Sequence, residues 1–152
     1  MSESALPFKD SVANRMDVIA PLVRGRKTLD LGVVDSRTQK DDTAARLTVK
    51  GATSLHAAIR EINPEVLGVD VDREGIDILS GQDFNVRVAD VLTMQLGEEF
   101  ETIIAGDIIE HLDNAGLFLR NVAEHLTGDG VLLISKRWSG KIGHLDKWLI
   151  CA

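Results

Sequence analysis

Residues Glu101–Ser135, ETIIAGDIIEHLDNAGLFLRNVAEHLTGDGVLLIS, read as strand, helix and strand. Glu101–Gly106 and Val131–Ser135 are apolar runs of the length a buried strand takes. Between them Ala115, Phe118, Leu119, Val122, Ala123 and Leu126 recur at helical spacing, from a start near Asp113 to a stop at Gly128. A short helical turn is expected at Asp107–Leu112. Two strands joined by a helical crossover lie parallel and right-handed.

Upstream, the pattern repeats. Lys27–Leu31 (KTLDL), Val66–Asp70 (VLGVD) and Val86–Asp90 (VRVAD) read as three more strands. Leu55, Ala58, Ile59 and Ile62 form an apolar stripe with Thr53 or Ser54 as cap and Pro64 just beyond, and Arg73–Ser80 reads as a short helix ended by Gly81. Val12, Met16, Ile19 and Val23 predict a first helix capped by Ser11, with Pro21 breaking or kinking its last turn. Asp35–Gly51 is charged and without periodicity, which predicts a mobile lid or a disordered segment. The expectation is one domain over residues 1–152: α/β, doubly wound, a mostly parallel sheet of about five strands with helices on both faces.

Composition narrows the partners. A net charge of −7 with scattered Lys and Arg argues against a nucleic-acid surface, and the cluster Arg24, Arg26 and Lys27 is short. The single cysteine, Cys151, excludes an intramolecular disulfide and a multi-cysteine zinc site, and suits a reducing compartment. The first residues, MSESALPFKDSV, lack a basic and an apolar region, and no run approaches the ~20 apolar residues of a membrane span. A cytoplasmic protein with no nucleic-acid or membrane partner is expected.

Parallel strands line up their carboxyl ends on one rim, where open α/β sheets bind ligands. Gly32 lets the chain turn sharply after the first strand, but a dinucleotide fingerprint needs two further glycines and Val33, Val34, Asp35, Ser36 and Arg37 supply none. A nicotinamide or flavin cofactor is therefore disfavoured. Asp70, closing the second strand, suits the two hydroxyls of a ribose, with Asp72 reading as the cap of the next helix. Asp90, closing the third, suits an adenine amino group, with Val91 against the ring. Together these acids favour an adenosine-bearing ligand.

Glu110 and His111 are an adjacent acid and imidazole on the presumed rim. His111 reads either as a general base for a hydroxyl or amine, or as a residue fixing the turn. Asp107, Glu110 and His111 lack a further assignable ligand, so no metal site is assigned. His56, His125 and His144 read as helix-surface or packing residues.

The set TLDLG, VLGVDVD, VRVADV, FETIIAGDIIEHL and LTGDGVLLIS resembles class I S-adenosylmethionine-dependent methyltransferases over residues 11–135. The resemblance implies a Rossmann-like sheet, S-adenosylmethionine as cofactor, and methyl transfer to a small-molecule, sugar or protein acceptor. It implies that Leu31, Gly32 and Val33 meet the methionine part, Asp70 the ribose, Val71 the adenine region, and Asp90 with Val91 the adenine. Gly106 and Asp107 would line the sulfonium side, and Glu101 stands where the family usually has an aspartate.

The chain also departs from the family pattern. Val34 brings a β-branched side chain where the cofactor's carboxylate end should approach. After the fifth strand only residues 136–152 remain, where the family has a helix and an antiparallel strand pair, so the sheet is expected to lack that pair. Trp138, Ile142, Leu145, Trp148 and Leu149 fit one helix over the open edge; a partner or a second copy of the chain is the other expected cover. Rival functions are a non-catalytic cofactor-binding or regulatory module, and another nucleotide-dependent enzyme such as an oxidoreductase.

Overall fold

The computed structural model describes residues 14–34, 54–139 and 144–151. Its elements are α1 (Arg15–Val23), β1 (Thr28–Leu31), α2 (Leu55–Ile62), β2 (Leu67–Asp70), α3 (Arg73–Ser80), β3 (Val86–Val88), β4 (Phe100–Gly106), a 3-10 turn at Ile109–His111, α4 (Ala115–Ala123), β5 (Leu126–Ser139) and β6 (His144–Cys151). The sheet order is β3-β2-β1-β4-β5-β6. The first five strands are parallel, and β6 runs antiparallel to β5. The chain thus winds outward from β1 in one direction and, from β4, in the other. That reversal opens a crevice at the carboxyl ends of β1 and β4.

Alternation along the strands divides the core. Leu29, Leu31, Leu67, Val69, Ile103, Ala105, Leu132 and Ile134 pack with Phe118 and Val122 of α4. Ile104 and Leu133, of opposite parity, pack with Ile19, Val23 and Ile59 of α1 and α2. This second face also buries polar groups at defined partners. Thr102 Oγ1 donates to the Leu22 carbonyl (2.6 Å), and Asn63 Nδ2 donates to the carbonyls of Val23 (3.0 Å) and Arg26 (2.7 Å). Leu22 and Val23 lie in the last turn of α1, where carbonyls lack helical partners, so these bonds anchor the helix end to the sheet.

Several boundaries differ from expectation. Asn14, not Ser11, caps α1, and Pro21 is accommodated inside a helix that runs on to Val23. Ser54 caps α2, Asp72 caps α3, and Gly81 closes α3 as expected. Strand β3 stops at Val88, so Asp90 lies in the following turn. Helix α4 stops at Ala123 instead of reaching Gly128: the buried His125 ring bonds the Asn121 carbonyl through Nδ1 (2.8 Å) and accepts the Leu96 N–H at Nε2 (3.1 Å), and Leu126 begins β5. Gly130 is crowded against the Phe100 and Thr127 carbonyls, where a Cβ would sit 3.1 and 3.0 Å away.

The largest difference is at the C-terminal end. Of the segment expected as one helix, Trp138 belongs to β5, Ile142 lies outside the described residues, and His144–Cys151 is a strand, β6, paired with β5 from Ser139 opposite His144 to Leu132 opposite Cys151. An edge strand leaves a row of backbone donors and acceptors that a helix laid over it would not pair, whereas an antiparallel strand pairs them. The edge beside β5 is therefore covered by this chain's own segment. Among the described residues this single antiparallel strand stands in place of the family's helix and strand pair. Among them, too, no helix is long and apolar enough to cross a membrane. The expected Asp35–Gly51 lid lies outside the described residues.

Candidate functional site

The strand register brings the predicted rim residues into one line. Leu31 lies opposite Val69 on β2 and Ala105 on β4, Asp70 opposite Val88, and Gly106 opposite Ser135. Continued by one residue, the register sets Gly32 level with Asp70 and Gly106, with Val71 and Asp107 next outward. Asp90 follows Ala89, whose N–H donates to the Asp70 carbonyl (2.9 Å).

At the crevice itself both flanking strands end in left-handed backbone. Gly32 has φ +74° and Asp107 φ +54°. Glycine adopts that conformation freely, and aspartate is among the few other residues that enter it readily. A Cβ on Gly32 would also lie 3.1 Å from Ile108 Cδ1, so the two strand ends approach closely here. The Gly32 N–H donates to the Val69 carbonyl (2.8 Å), turning the chain along the end of β2.

That turn brings Val34 to Asp70. The Val34 N–H donates to Asp70 Oδ2 (2.9 Å) and the Asp72 N–H to Asp70 Oδ1 (3.0 Å). Burial pushes the Asp70 carboxyl above its ordinary value of 3.8, opposed by these backbone bonds and reinforced by the neighbouring Asp72 charge. A carboxylate offers about four lone-pair directions, so these bonds and a further backbone contribution from Val71 leave acceptor capacity on the group. The half-buried, oriented carboxylate fits two vicinal hydroxyls.

The Val34 side chain does not intrude on the crevice. It is buried with Ile76 and Leu79 and lies over Gly75 of α3, where a Cβ would come within 2.5 Å of Val34 Cγ1. The expected steric departure is thereby removed: the missing side chain at Gly75 makes the room.

The remaining predicted residues divide by exposure. Leu31, Val33 and Val91 are buried, and what they present to the rim is backbone. Val71 is 65% exposed, an apolar surface beside Asp70. Asp90 is exposed and accepts the Leu92 N–H (2.9 Å), an Asx turn that fixes its carboxylate. Gly106 faces Leu55 of α2, with a Cβ position 3.0 Å from Leu55 Cδ2. His111 and Glu110 are exposed on the 3-10 turn that follows Asp107. Among the described residues no group of three His, Cys, Asp or Glu side chains is placed to hold a metal ion.

Two contacts were not legible in the sequence. Arg15 Nη2 reaches Asp107 Oδ2 (2.8 Å) and Ser135 Oγ (3.1 Å). His56 Nδ1 lies 2.9 Å from Asp30 Oδ2 in the interior. Both contacts join residues distant in sequence, and no local pattern announces them.

A family model described as a methyltransferase domain matches residues 49–134, more than half of the chain. The chain belongs to that family. It carries the class I, S-adenosylmethionine-dependent type of methyltransferase fold that its motifs resemble.

Among characterised relatives, this methyltransferase domain is similar to (S)-coclaurine N-methyltransferase of Papaver somniferum, at 30% identity over 91 residues. The match takes in 55% of this chain and 26% of the relative, so the chain spans about a quarter of that protein's length. Among solved structures it is similar to a TehB-like SAM-dependent methyltransferase from Corynebacterium glutamicum: TM-score 0.56 and 25% identity, covering 82% of this chain and 60% of that one. The glycopeptide N-methyltransferase MtfA complexed with sinefungin gives a TM-score of 0.61 at 14% identity, covering 99% and 70%.

Proposed function

We propose that this domain binds S-adenosylmethionine across the carboxyl ends of β2, β1 and β4 and transfers its methyl group to an acceptor held above β4. The observation that carries the reading is Asp70: an oriented, half-buried carboxylate with acceptor capacity left, one strand from the Gly32 turn. Bound S-adenosylmethionine supplies an activated methyl on a positively charged sulfur. Asp70 accepts the ribose hydroxyls, and exposed Val71 covers one side of the base while Asp90 accepts from its amino group. The backbone of Leu31, Gly32 and Val33 borders the methionine part, and Gly106 and Asp107 border the sulfur.

Alignment of donor and nucleophile supplies much of the rate of such a displacement, so the acceptor needs chiefly to be held in line. His111, exposed one turn past Asp107, takes the acceptor's proton where the acceptor is an amine or hydroxyl. The coclaurine N-methyltransferase relative makes a small-molecule amine the first acceptor class to test, ahead of sugars and proteins. We assign no membrane or nucleic-acid partner.

Calorimetry tests the cofactor: S-adenosylmethionine and S-adenosylhomocysteine bind and NAD does not. Transfer of labelled methyl to a panel of amines separates an enzyme from a binding module. Absence of binding for both adenosyl ligands at millimolar concentration overturns the reading.

A further inference from the structure

Asp107 is a carboxylate at the crevice whose side chain is only 6% exposed, and Arg15 holds it. Arg15 opens α1, yet its Nη2 lies 2.8 Å from Asp107 Oδ2 and 3.1 Å from Ser135 Oγ. Ser135 is fully buried and pairs with Gly106 across β4 and β5. A cation from the N-terminal helix is thus fixed against the acid that follows β4 and a buried hydroxyl of β5. Low exposure strengthens the influence of each charge on its surroundings.

We infer that Arg15 is a positioning residue that offsets the charge of Asp107 beside the sulfur subsite. The inference rests on the cofactor reading above, which places the sulfur beside Gly106 and Asp107. Its chemical logic follows from where charge goes in the reaction. The methyl moves from sulfur to the acceptor's lone pair, the carbon–sulfur electron pair stays on sulfur, and the sulfonium becomes a neutral thioether. A bare carboxylate beside the sulfur holds the charged ground state more tightly than a transition state in which that charge is leaving, and so slows transfer. An arginine paired with the carboxylate removes that penalty and holds Asp107 in its left-handed conformation.

The test is the ratio of affinities for S-adenosylmethionine and S-adenosylhomocysteine, measured by calorimetry on the full chain. These ligands differ at the sulfur by one methyl and one charge. Arg15→Met is expected to shift the ratio about tenfold towards S-adenosylmethionine, the scale of one uncompensated charge acting over several ångströms. Asp107→Asn is expected to shift it about tenfold the other way. Arg15→Lys keeps the ratio of the unaltered chain, and so does the double variant Arg15→Met/Asp107→Asn, which carries neither charge. Single variants that change both affinities by the same factor, or neither, overturn the charge-balance role while the cofactor reading stands. Failure of the unaltered chain to bind either ligand overturns both.

Discussion

Asp30 and His56 meet 2.9 Å apart in the interior, with side chains 4% and 1% exposed, and so tie the middle of β1 to the first turn of α2. The contact spans the connection that runs from the Gly32 turn to α2. Gly68 on β2 makes it possible, because a Cβ there would lie 2.8 Å from His56 Cε1. The ring also lies 5.6 Å from the Phe84 ring, so one imidazole joins β1, β2 and the segment before β3.

The first prediction concerns this pair. His56→Leu keeps apolar volume but strands the Asp30 carboxylate, and is expected to lower stability by about 3 kcal/mol in urea denaturation, the scale for breaking a buried pair. Asp30→Asn keeps an acceptor for the ring and is expected to cost about 1 kcal/mol. Equal, small losses from both variants would show that the contact contributes little.

A second prediction sets helix propensity against packing. Gly→Ala inside a helix ordinarily stabilises by about 1 kcal/mol. At Gly75 the new Cβ would sit 2.5 Å from Val34 Cγ1 and 2.7 Å from Cγ2, both on a β-branched side chain with little freedom to move. Gly75→Ala is therefore expected to destabilise by about 1–3 kcal/mol, and Val34→Ala in the same chain to recover most of the loss. Stabilisation by Gly75→Ala alone would mean that α3 shifts freely.

The third prediction is a pH dependence. Ribose hydroxyls donate to an ionised carboxylate, so affinity for S-adenosylhomocysteine should fall as pH drops through the raised pKa of Asp70, above the ordinary 3.8. Asp70→Ala should weaken binding by about 1–3 kcal/mol and abolish the Asp70 contribution to that fall. Folding stability has the opposite sign. Between 3.8 and the raised value the folded chain keeps a proton that the unfolded chain has released, so the Asp70 contribution to stability declines as pH rises through that window. Binding titrations and urea melts from pH 3.5 to 7 check both; an unaltered binding profile in Asp70→Ala would remove Asp70 from the site.

The parallel strands, the helical turn after β4 and the Asp72 cap were legible because each is written in adjacent residues: short apolar runs, a carboxylate three residues before the N–H that donates to it, a glycine after a helix. The rim acid Asp70 was legible for the same reason. His56 was not, since its burial depends on a glycine in another strand. The Arg15 contact is recognisable only once α1 is seen against the end of β4 and Ser135 of β5. The C-terminal segment misled because Trp138, Ile142, Leu145, Trp148 and Leu149 fit a helical spacing, while the open edge of β5 selected a strand over His144–Cys151. Local spacing cannot report which neighbour needs pairing.

The last prediction uses two glycines that face each other across the crevice. At Gly32 alanine meets two obstacles. The φ of +74° costs a side-chain-bearing residue about 1–2 kcal/mol, and the Cβ lies 3.1 Å from Ile108 Cδ1 and 3.6 Å from Cγ1. At Gly106 φ is not in the left-handed region, and the closest atom is the far end of Leu55, Cδ2 at 3.0 Å, which a rotamer change moves aside. Gly32→Ala is therefore expected to lower stability by about 2 kcal/mol and to weaken S-adenosylhomocysteine binding, because relieving the strain pushes the turn or Ile108 out of line. Gly106→Ala is expected to leave stability within about 1 kcal/mol while still weakening binding, since the proposed function sets the sulfur of the cofactor beside Gly106. Denaturation midpoints and calorimetry on the two variants separate the effects. Undiminished binding in both would place the ligand elsewhere on the rim, and the crevice between β1 and β4 would then be structural.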